Sequence, residues 1–144
     1  MKLTEQQIKS IAESLDAGMR CFYNLKTGEI EEMFKEEDMD YVDDYEDLWR
    51  EKLDQIEENL DDYIEFNPMD SRDAFKVMER FAESVDDYEL QYKLRRALDR
   101  RGPFSNFKHE VDHSGPYRQM WFDFKLQATI EYVKMLEEQH HDEG

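Results

Sequence analysis

Five consecutive residues in the last third of the chain have the types and spacing of a zinc-hydrolase motif. His109, Glu110 and His113 match the pattern H-E-x-x-H, in which two histidines on one helix face bind zinc and the glutamate acts as general base. However, Ser114-Gly115-Pro116 should end any helix directly after His113, and the motif still needs a third ligand. By position alone, the candidates for that ligand are Glu131 and Glu137. We therefore interpret His109 and His113 as exposed histidines in a polar turn, which predicts no metal site and no cofactor.

A basic segment, residues 93–108, is the second chemical feature, because it lies in a strongly acidic chain. It holds six basic residues and one acidic residue, whereas the formal net charge of the whole chain is -18. If the segment begins as a helix, Lys93, Arg96 and Arg100 share one flank at positions i, i+3 and i+7. An open turn over residues 102–106 should follow. The candidate ligand-binding residues are therefore Lys93, Arg96, Arg100, Phe104, Phe107 and Lys108.

Three interpretations of the basic segment stay open. The arginines can pair with acidic residues of the same chain or of a second copy, which we favour because the net charge is so negative. They can bind an anion such as phosphate, a carboxylate or an RNA backbone, with Phe104 and Phe107 stacking on bases. They can also reflect ordinary helix chemistry, because cations suit the negative end of a helix dipole. Two neighbour pairs have the spacing of helical ion pairs: Glu89–Lys93 and Arg95–Asp99.

Other catalytic chemistry has little support in the residues. Cys21, the one cysteine, lies in a predicted strand, where a lone cysteine usually behaves as a small buried hydrophobe. The acidic run that starts at Asp38 fails as a calcium-binding loop, because Asp43 and Trp49 stand where such a loop needs glycine and glutamate. No phosphate-binding loop or dinucleotide fingerprint is present. The residues therefore favour a protein that is not an enzyme.

Length, charge and cysteine content bound the class of protein. The 144 residues fit one domain, and 39% hydrophobic residues suffice for one core. One cysteine excludes an internal disulfide, no apolar run is long enough to span a membrane, and the N-terminus has no apolar signal core. These features predict a cytoplasmic protein that does not interact with a membrane. From Glu31 to Asp62, sixteen acidic residues accompany three basic ones, which disfavours general nucleic-acid binding.

Hydrophobic periodicity and capping residues predict the elements that position these side chains. Thr4 and Gln7 predict a capping box at the start of the first helix, and Gly28 predicts a hairpin turn. In chain order we predict a helix between Thr4 and Gly18, hairpin strands over 21–25 and 29–34, a helix over about 43–60, a strand over 63–66, helices over about 71–85 and 86–102, a short element over 104–111 and a helix over about 117–139.

The last predicted helix is apolar on two faces. One side carries Met120, Trp121, Phe124, Ala128 and Met135, and the nearly opposite side carries Phe122, Leu126, Ile130 and Val133. Such a helix is either central in the fold or shared with a partner, and we favour the central position because a single domain must bury its best helix. The predicted fold is a single α+β domain over residues 1–139, in which a small antiparallel sheet packs against about five helices. Residues 140–144 are predicted to be a frayed tail.

Three blocks of sequence resemble one known family. They are Phe22-Tyr23-Asn24-Leu25-Lys26-Thr27-Gly28-Glu29-Ile30, then Tyr63-Ile64-Glu65-Phe66 with the helix that follows Asp70-Ser71-Arg72, then Leu94-Arg95-Arg96-Ala97-Leu98 with Gly102-Pro103-Phe104-Ser105-Asn106-Phe107-Lys108. In this order they resemble the uncharacterised protein family (UPF) numbered 0158, a family of small acidic bacterial proteins. The resemblance implies an α+β domain and supplies no activity and no catalytic residue. Pro103 departs from the family pattern, in which a small residue such as alanine is expected.

The function predicted from the sequence is a small, acidic, cytoplasmic and non-enzymatic interaction module. The separation of charge along the chain and the two-faced last helix favour a protein partner, and self-association is one form of such an interaction. The alternative is an anion-binding or nucleic-acid-binding module that uses residues 93–108. A zinc-dependent hydrolase at residues 109–113 is the third hypothesis.

Overall fold

The computed structural model describes the backbone of residues 2–35 and 46–143 and the side chains of residues 2–35 and 49–140. The chain divides into two compact units. The first, which we call the sheet unit, comprises Met1–Pro68 and Thr129–Gly144. The second, the helical unit, comprises Met69–Ala128. Each unit has its own hydrophobic cluster.

Among its described residues, the sheet unit contains two helices, three strands and the end of a third helix. The predicted capping box begins the first helix. The Thr4 hydroxyl accepts from the backbone N–H of Gln7, and the Gln7 side chain accepts from the backbone N–H of Thr4. The elements in chain order are α1 (Glu5–Asp16), β1 (Arg20–Asn24), β2 (Ile30–Met33), α2 (Glu46–Glu58), a 3-10 turn (Leu60–Asp62) and β3 (Tyr63–Phe66).

The three strands form an antiparallel sheet with the order β2-β1-β3. In the middle of the sheet, Phe22 of β1 lies opposite Glu31 of β2 and Glu65 of β3. The turn between β1 and β2 uses Gly28 at a φ of 76°, and the Asn24 side chain accepts from two backbone N–H groups of the turn. The hairpin and the third strand predicted from the sequence are therefore confirmed.

One hydrophobic cluster of the sheet unit joins the sheet to α2. Its buried members are Phe22, Met33 and Ile56, and partly buried aromatic and leucine side chains pack against them. The rings of Phe34 and Trp49 meet edge-on, with centroids 5.1 Å apart. Because the apolar side of α2, which includes Ile56, packs in this cluster, the charged side of α2 stays exposed to solvent.

The helical unit consists of three helices and the start of a fourth. They are α3 (Ser71–Ser84), α4 (Tyr88–Asp99), α5 (Pro103–Asp112) and the first part of α6 (Tyr117–Glu143). Asp70 and Asp87 cap α3 and α4, since each carboxylate accepts from a backbone N–H of the first turn. These caps agree with the starts predicted from the sequence.

Aromatic rings fill the core of the helical unit. The ring centroid of Phe81 in α3 lies 6.3 Å from that of Phe107, 5.3 Å from that of Trp121 and 5.4 Å from that of Phe124. Leu94 of α4 is completely buried in the same cluster. Inclined aromatic pairs of this kind add to the free energy gained from burial. The cluster fixes α4 and α5, which carry the predicted ligand-binding residues.

The start of α5 differs from the prediction, because an open turn was expected over residues 102–106. Gly102, with a φ of 73°, is instead the N-cap of α5, and Pro103 is its first residue. Proline suits this position because its φ is already helical and its missing N–H would have no partner there. The Asn106 side chain stabilises the same end by donating to the carbonyl of Arg101 at 3.0 Å.

The two apolar faces of α6 follow from its membership of both units. Its residues up to Ala128 belong to the helical unit, where Trp121 and Phe124 pack on the aromatic core. Its later residues belong to the sheet unit, where Val133 is completely buried and the Thr129 hydroxyl donates to Asp16 at 2.6 Å. The side of the helix that must be apolar therefore changes along its length.

The predicted α+β class is confirmed by six α-helices and one three-stranded sheet in the part of the chain that the structure describes. The short element expected over 104–111 is the complete helix α5, and α6 continues past its predicted end at Gln139 to Glu143. The single domain over residues 1–139 and the frayed tail over 140–144 stay predictions. The acidic run from Asp38 to Asp43 lies outside the described residues. None of the described helices is long and apolar enough to cross a membrane.

Candidate functional site

The H-E-x-x-H residues lie at the end of α5, where they do not assemble a metal site. The imidazole rings of His109 and His113 have centroids 4.5 Å apart, and Nδ1 of His113 lies 2.7 Å from the backbone carbonyl oxygen of His109. Because a carbonyl oxygen only accepts, this hydrogen bond requires the proton on Nδ1. Among the described residues, no three His, Cys, Asp or Glu side chains are grouped to hold a metal ion. Glu137, one suggested third ligand, accepts from the backbone N–H of Leu3.

An open cleft of about 190 Å³ lies in the helical unit, and the two chemical motifs of the sequence meet there. Lys93 of α4 lines it together with Glu110 and His113 of the H-E-x-x-H motif. Tyr117, which also lines it, donates a hydrogen bond of 2.6 Å to Asp86, and this bond raises the pKa of the Tyr117 hydroxyl. Of the predicted ligand-binding residues, Lys93 is the one that reaches this cleft. The cleft therefore lies next to the basic segment, and none of the arginines of that segment lines it.

Neighbouring carboxylates account for one basic residue of α4. Nζ of Lys93 lies 3.5 Å from a carboxylate oxygen of Glu89, so this predicted pair is confirmed. The second predicted pair, Arg95–Asp99, is not among the ion pairs that the described residues form. Because α4 ends at Asp99, Arg100 is the C-cap of the helix. The helix predicted to about residue 102 would have placed Arg100 in its last turn, so this part of the prediction is wrong.

Arg96 belongs to an exposed face of α4 that the sequence analysis missed. Its guanidinium donates to the hydroxyl of Tyr92 at 3.0 Å and forms no ion pair within the described chain. Tyr92 is 62% exposed, and Tyr88, one turn earlier, is 87% exposed. We call Tyr88, Tyr92 and Arg96 the tyrosine–arginine face, which Lys93 and Arg100 flank. A signal for it was available, since the leucines of α4 define the buried side and both tyrosines fall opposite.

The two phenylalanines of the basic segment have different environments. Phe107 is 1% exposed and belongs to the core of the helical unit, so its ring is not open to a base or another ligand. Phe104, in the first turn of α5, is 44% exposed. The predicted residues that reach the surface are Lys93, Arg96, Arg100, Phe104 and Lys108. Five members of the predicted set are thus accessible, and one stabilises the fold.

A family assignment follows from a match over almost the whole chain. The sequence model of the uncharacterised protein family UPF0158 matches residues 3–142. The chain belongs to the UPF0158 family. The resemblance seen in three sequence blocks is therefore confirmed. No curated protein and no solved structure matches the chain. The roles of individual residues in this UPF0158 protein have to be argued from its own geometry.

Cys21 of this UPF0158 protein lies in β1 and is completely buried. Burial is the main cause that raises the pKa of its thiol from 9.0 to about 11. A hydrogen bond with Ser14 lowers the pKa, and the negative charge of Glu32 raises it further. Because the thiolate is the nucleophile, a thiol that stays protonated at neutral pH does not support nucleophilic catalysis.

We expect the Cys21 thiol to react with iodoacetamide about 100-fold more slowly in the native protein than in urea at pH 8, because the raised pKa depletes the thiolate. Mass spectrometry after timed quenching measures both rates. A Thr27→Cys variant in a Cys21→Ala background is the control, since it moves the thiol to the exposed hairpin turn and should react at the unfolded rate. Equal native and unfolded rates for Cys21 would contradict the buried, protonated thiol.

Proposed function

We propose that this UPF0158 protein is a cytoplasmic, non-enzymatic interaction module that binds an acidic protein surface through the tyrosine–arginine face of α4. The observation that carries the proposal is the exposure of Tyr88 and Tyr92 beside arginines that form no ion pair in the described chain. Two large aromatic side chains at neighbouring turns of one helix are a substantial surface to leave in water. A partner that covered them would bury this area.

The residue types of this face suit a protein partner. Tyrosine and arginine are enriched among the interface residues that contribute most binding free energy. A tyrosine ring contributes a large contact area at a low cost in side-chain entropy, because it has only two rotatable χ angles. The hydrogen bond from Arg96 to the Tyr92 hydroxyl also holds both side chains in one arrangement before a partner arrives, which lowers the entropic cost of binding.

The charge of the face favours an acidic partner. Arg96 and Arg100 are exposed without a carboxylate partner in the described residues, and Lys93 has only the exposed Glu89. Carboxylates on a partner would supply the missing acceptors, and a planar guanidinium can bind each of them through two parallel hydrogen bonds. The tyrosines would then provide contact area, and the arginines would select for acidic surfaces.

Nucleic acid is a second candidate ligand for the same face, because aromatic rings beside arginines can stack on bases. Two features favour the protein partner. The formal net charge of -18 repels a phosphate backbone along its whole length, whereas an acidic protein surface is a local patch. The burial of Phe107 also removes one of the two rings that the sequence had offered for stacking on bases.

We expect an Arg96→Gln/Arg100→Gln variant to bind an acidic helical peptide about tenfold more weakly than the wild-type protein, because both guanidinium groups lose their charge. The probe is a fluorescein-labelled peptide with glutamates at positions i, i+3 and i+7, and fluorescence anisotropy measures its dissociation constant. Arg72→Gln/Arg80→Gln is the matched control, since it removes the same charge from exposed positions of α3 and should leave peptide binding unchanged.

Two results would count against the proposal. The first is equal weakening in the α4 and α3 variants, which would show that the peptide responds only to net charge. The second is tighter, Arg96-dependent and Arg100-dependent binding of single-stranded poly(U) RNA, which would assign the face to nucleic acid. A Tyr88→Ser/Tyr92→Ser variant separates the aromatic from the ionic contribution and should also weaken peptide binding.

A further inference from the structure

We infer that the acidic surface recognised by α4 is the outer face of α2 in a second copy of this chain. The inference rests on the proposed function, because it names the partner of the tyrosine–arginine face. It starts from α2, which buries Ile56 in the core of the sheet unit and turns its opposite side to solvent. That opposite side carries three exposed carboxylates, Glu51, Asp54 and Glu58.

These three carboxylates form no ion pair with the described residues. The one lysine of α2, Lys52, uses its charge on Glu31 of the hairpin at 2.9 Å. Glu51, Asp54 and Glu58 therefore repel one another along one helix face. Bringing cations to this face would relieve that repulsion.

The spacing of the carboxylates on α2 matches the spacing of the cations on α4. Glu51, Asp54 and Glu58 stand at i, i+3 and i+7, and Lys93, Arg96 and Arg100 stand at i, i+3 and i+7 as well. At the rise of an α-helix, both rows span about 10 Å. Two helices of different copies that lie side by side can therefore bring each cation opposite a carboxylate.

Apolar contacts would accompany the ion pairs. Exposed ion pairs alone are weak, so an association needs buried area as well. Tyr88 and Tyr92 supply it on the α4 side. On the other side, Leu60, the first residue of the 3-10 turn after α2, is more than half exposed.

The contact joins two different surfaces. Two copies can make it reciprocally, α4 on α2 and α2 on α4, in a closed two-fold dimer; a single contact between each copy and the next instead forms a ring or a filament. Because like net charges of -18 repel each other, the assembly should be weak and should respond to single changes of charge. Sedimentation velocity over a series of protein concentrations measures both its size and its affinity.

Exchanging the charges between the two helices tests the contact. In one variant, Arg96→Glu/Arg100→Glu makes α4 acidic, and in the other, Asp54→Lys/Glu58→Lys makes α2 basic. Each variant alone should self-associate at least about tenfold more weakly than the wild type, because like charges then face each other. An equimolar mixture of the two should associate at least as well as the wild type, since every contact between unlike variants again joins opposite charges.

The controls keep each outcome interpretable. Circular dichroism checks that both variants are folded, and Arg72→Glu/Arg80→Glu, which has the same net charge as the α4 variant, should self-associate like the wild type. Recovery in the mixture supports the inference. A mixture that stays as dissociated as its components overturns it. A wild-type protein that is monomeric up to about 1 mM also overturns it. If that monomer still binds the acidic probe peptide through Arg96 and Arg100, the proposed function stands; if it does not, both fail.

Discussion

Replacing Phe107 by alanine is expected to lower the free energy of unfolding of the helical unit by about 3–5 kcal/mol. The side chain is 1% exposed, and its ring centroid lies 4.9 Å from that of Trp121 and 6.3 Å from that of Phe81. Truncation removes the buried ring and leaves a cavity among rigid aromatic neighbours that cannot close around it. Urea unfolding followed by far-ultraviolet circular dichroism measures the change.

Phe104 provides a control for Phe107 within the same helix. It is 44% exposed, so Phe104→Ala should cost less than about 1 kcal/mol. The two tryptophans report separately, because Trp49 belongs to the sheet unit and Trp121 to the helical unit. In a Trp49→Phe background, fluorescence therefore follows the helical unit alone. Similar losses for the two alanine variants would contradict the division of the predicted site into a surface residue and a core residue.

Two substitutions of Arg20 are expected to have different effects on the free energy of unfolding. Arg20→Ala should lower the free energy of unfolding by about 2–5 kcal/mol, because it empties the space that the long side chain fills. Arg20→Met should leave it unchanged or raise it by up to about 2 kcal/mol, because methionine keeps most of the packing without a buried charge. Urea unfolding of both variants in a Trp121→Phe background, read by the fluorescence of Trp49, measures the difference.

The surroundings of the Arg20 guanidinium are the reason for this expectation. Nε donates to the carbonyl of Phe34 at 2.8 Å, and the ion pair of Nη1 with Glu65 is long, at 3.5 Å. Nη2 is buried and has no hydrogen-bond partner in the described part of the chain. A buried charge with incomplete partners costs free energy that an apolar side chain does not. The group lies 5.4 Å from the centre of the Phe22 ring, where a methionine can also pack.

The same two substitutions at Arg72 serve as the control for those at Arg20. This arginine is exposed in the first turn of α3, so Arg72→Ala and Arg72→Met should each change stability by less than about 0.5 kcal/mol. If Arg20→Met destabilises the protein as strongly as Arg20→Ala, the guanidinium hydrogen bonds stabilise the sheet unit. That result would contradict the assignment of Arg20 as a costly buried charge.

Local signals made much of the fold predictable. The Thr4 capping box, the hairpin around Gly28 and the aspartate caps of α3 and α4 each depend on hydrogen bonds between residues a few positions apart. The Glu89–Lys93 pair was predictable for the same reason. At Gly102-Pro103 the local signal was ambiguous, because glycine before proline can end one helix or begin the next. The left-handed Gly102 and the hydrogen bond from Asn106 decide for the start of α5.

The candidate site was predictable only in part. The amino-acid sequence placed Lys93, Arg96 and Arg100 on one flank of a helix, because helical periodicity requires it. It did not show whether these cations meet carboxylates, since that depends on which elements lie next to α4. It also presented Phe104 and Phe107 as equivalent, although only Phe107 is buried. The exposed Tyr88 and Tyr92 lie opposite the buried leucines of α4, so helical periodicity alone could have placed them at the surface.

By itself, the sequence determined the order and type of most elements, which side of α4 is apolar and to which family the chain belongs, whereas the ends of α4 and α6 and the start of α5 differ from the prediction. These properties depend on local hydrogen bonds and on short-range periodicity. The tertiary structure alone decided that α6 belongs to both units, that Phe107 is structural and that Arg96 bonds to a tyrosine and to no carboxylate of the described residues. The physical reason is that burial and charge pairing depend on neighbours distant in sequence, and packing selects those neighbours.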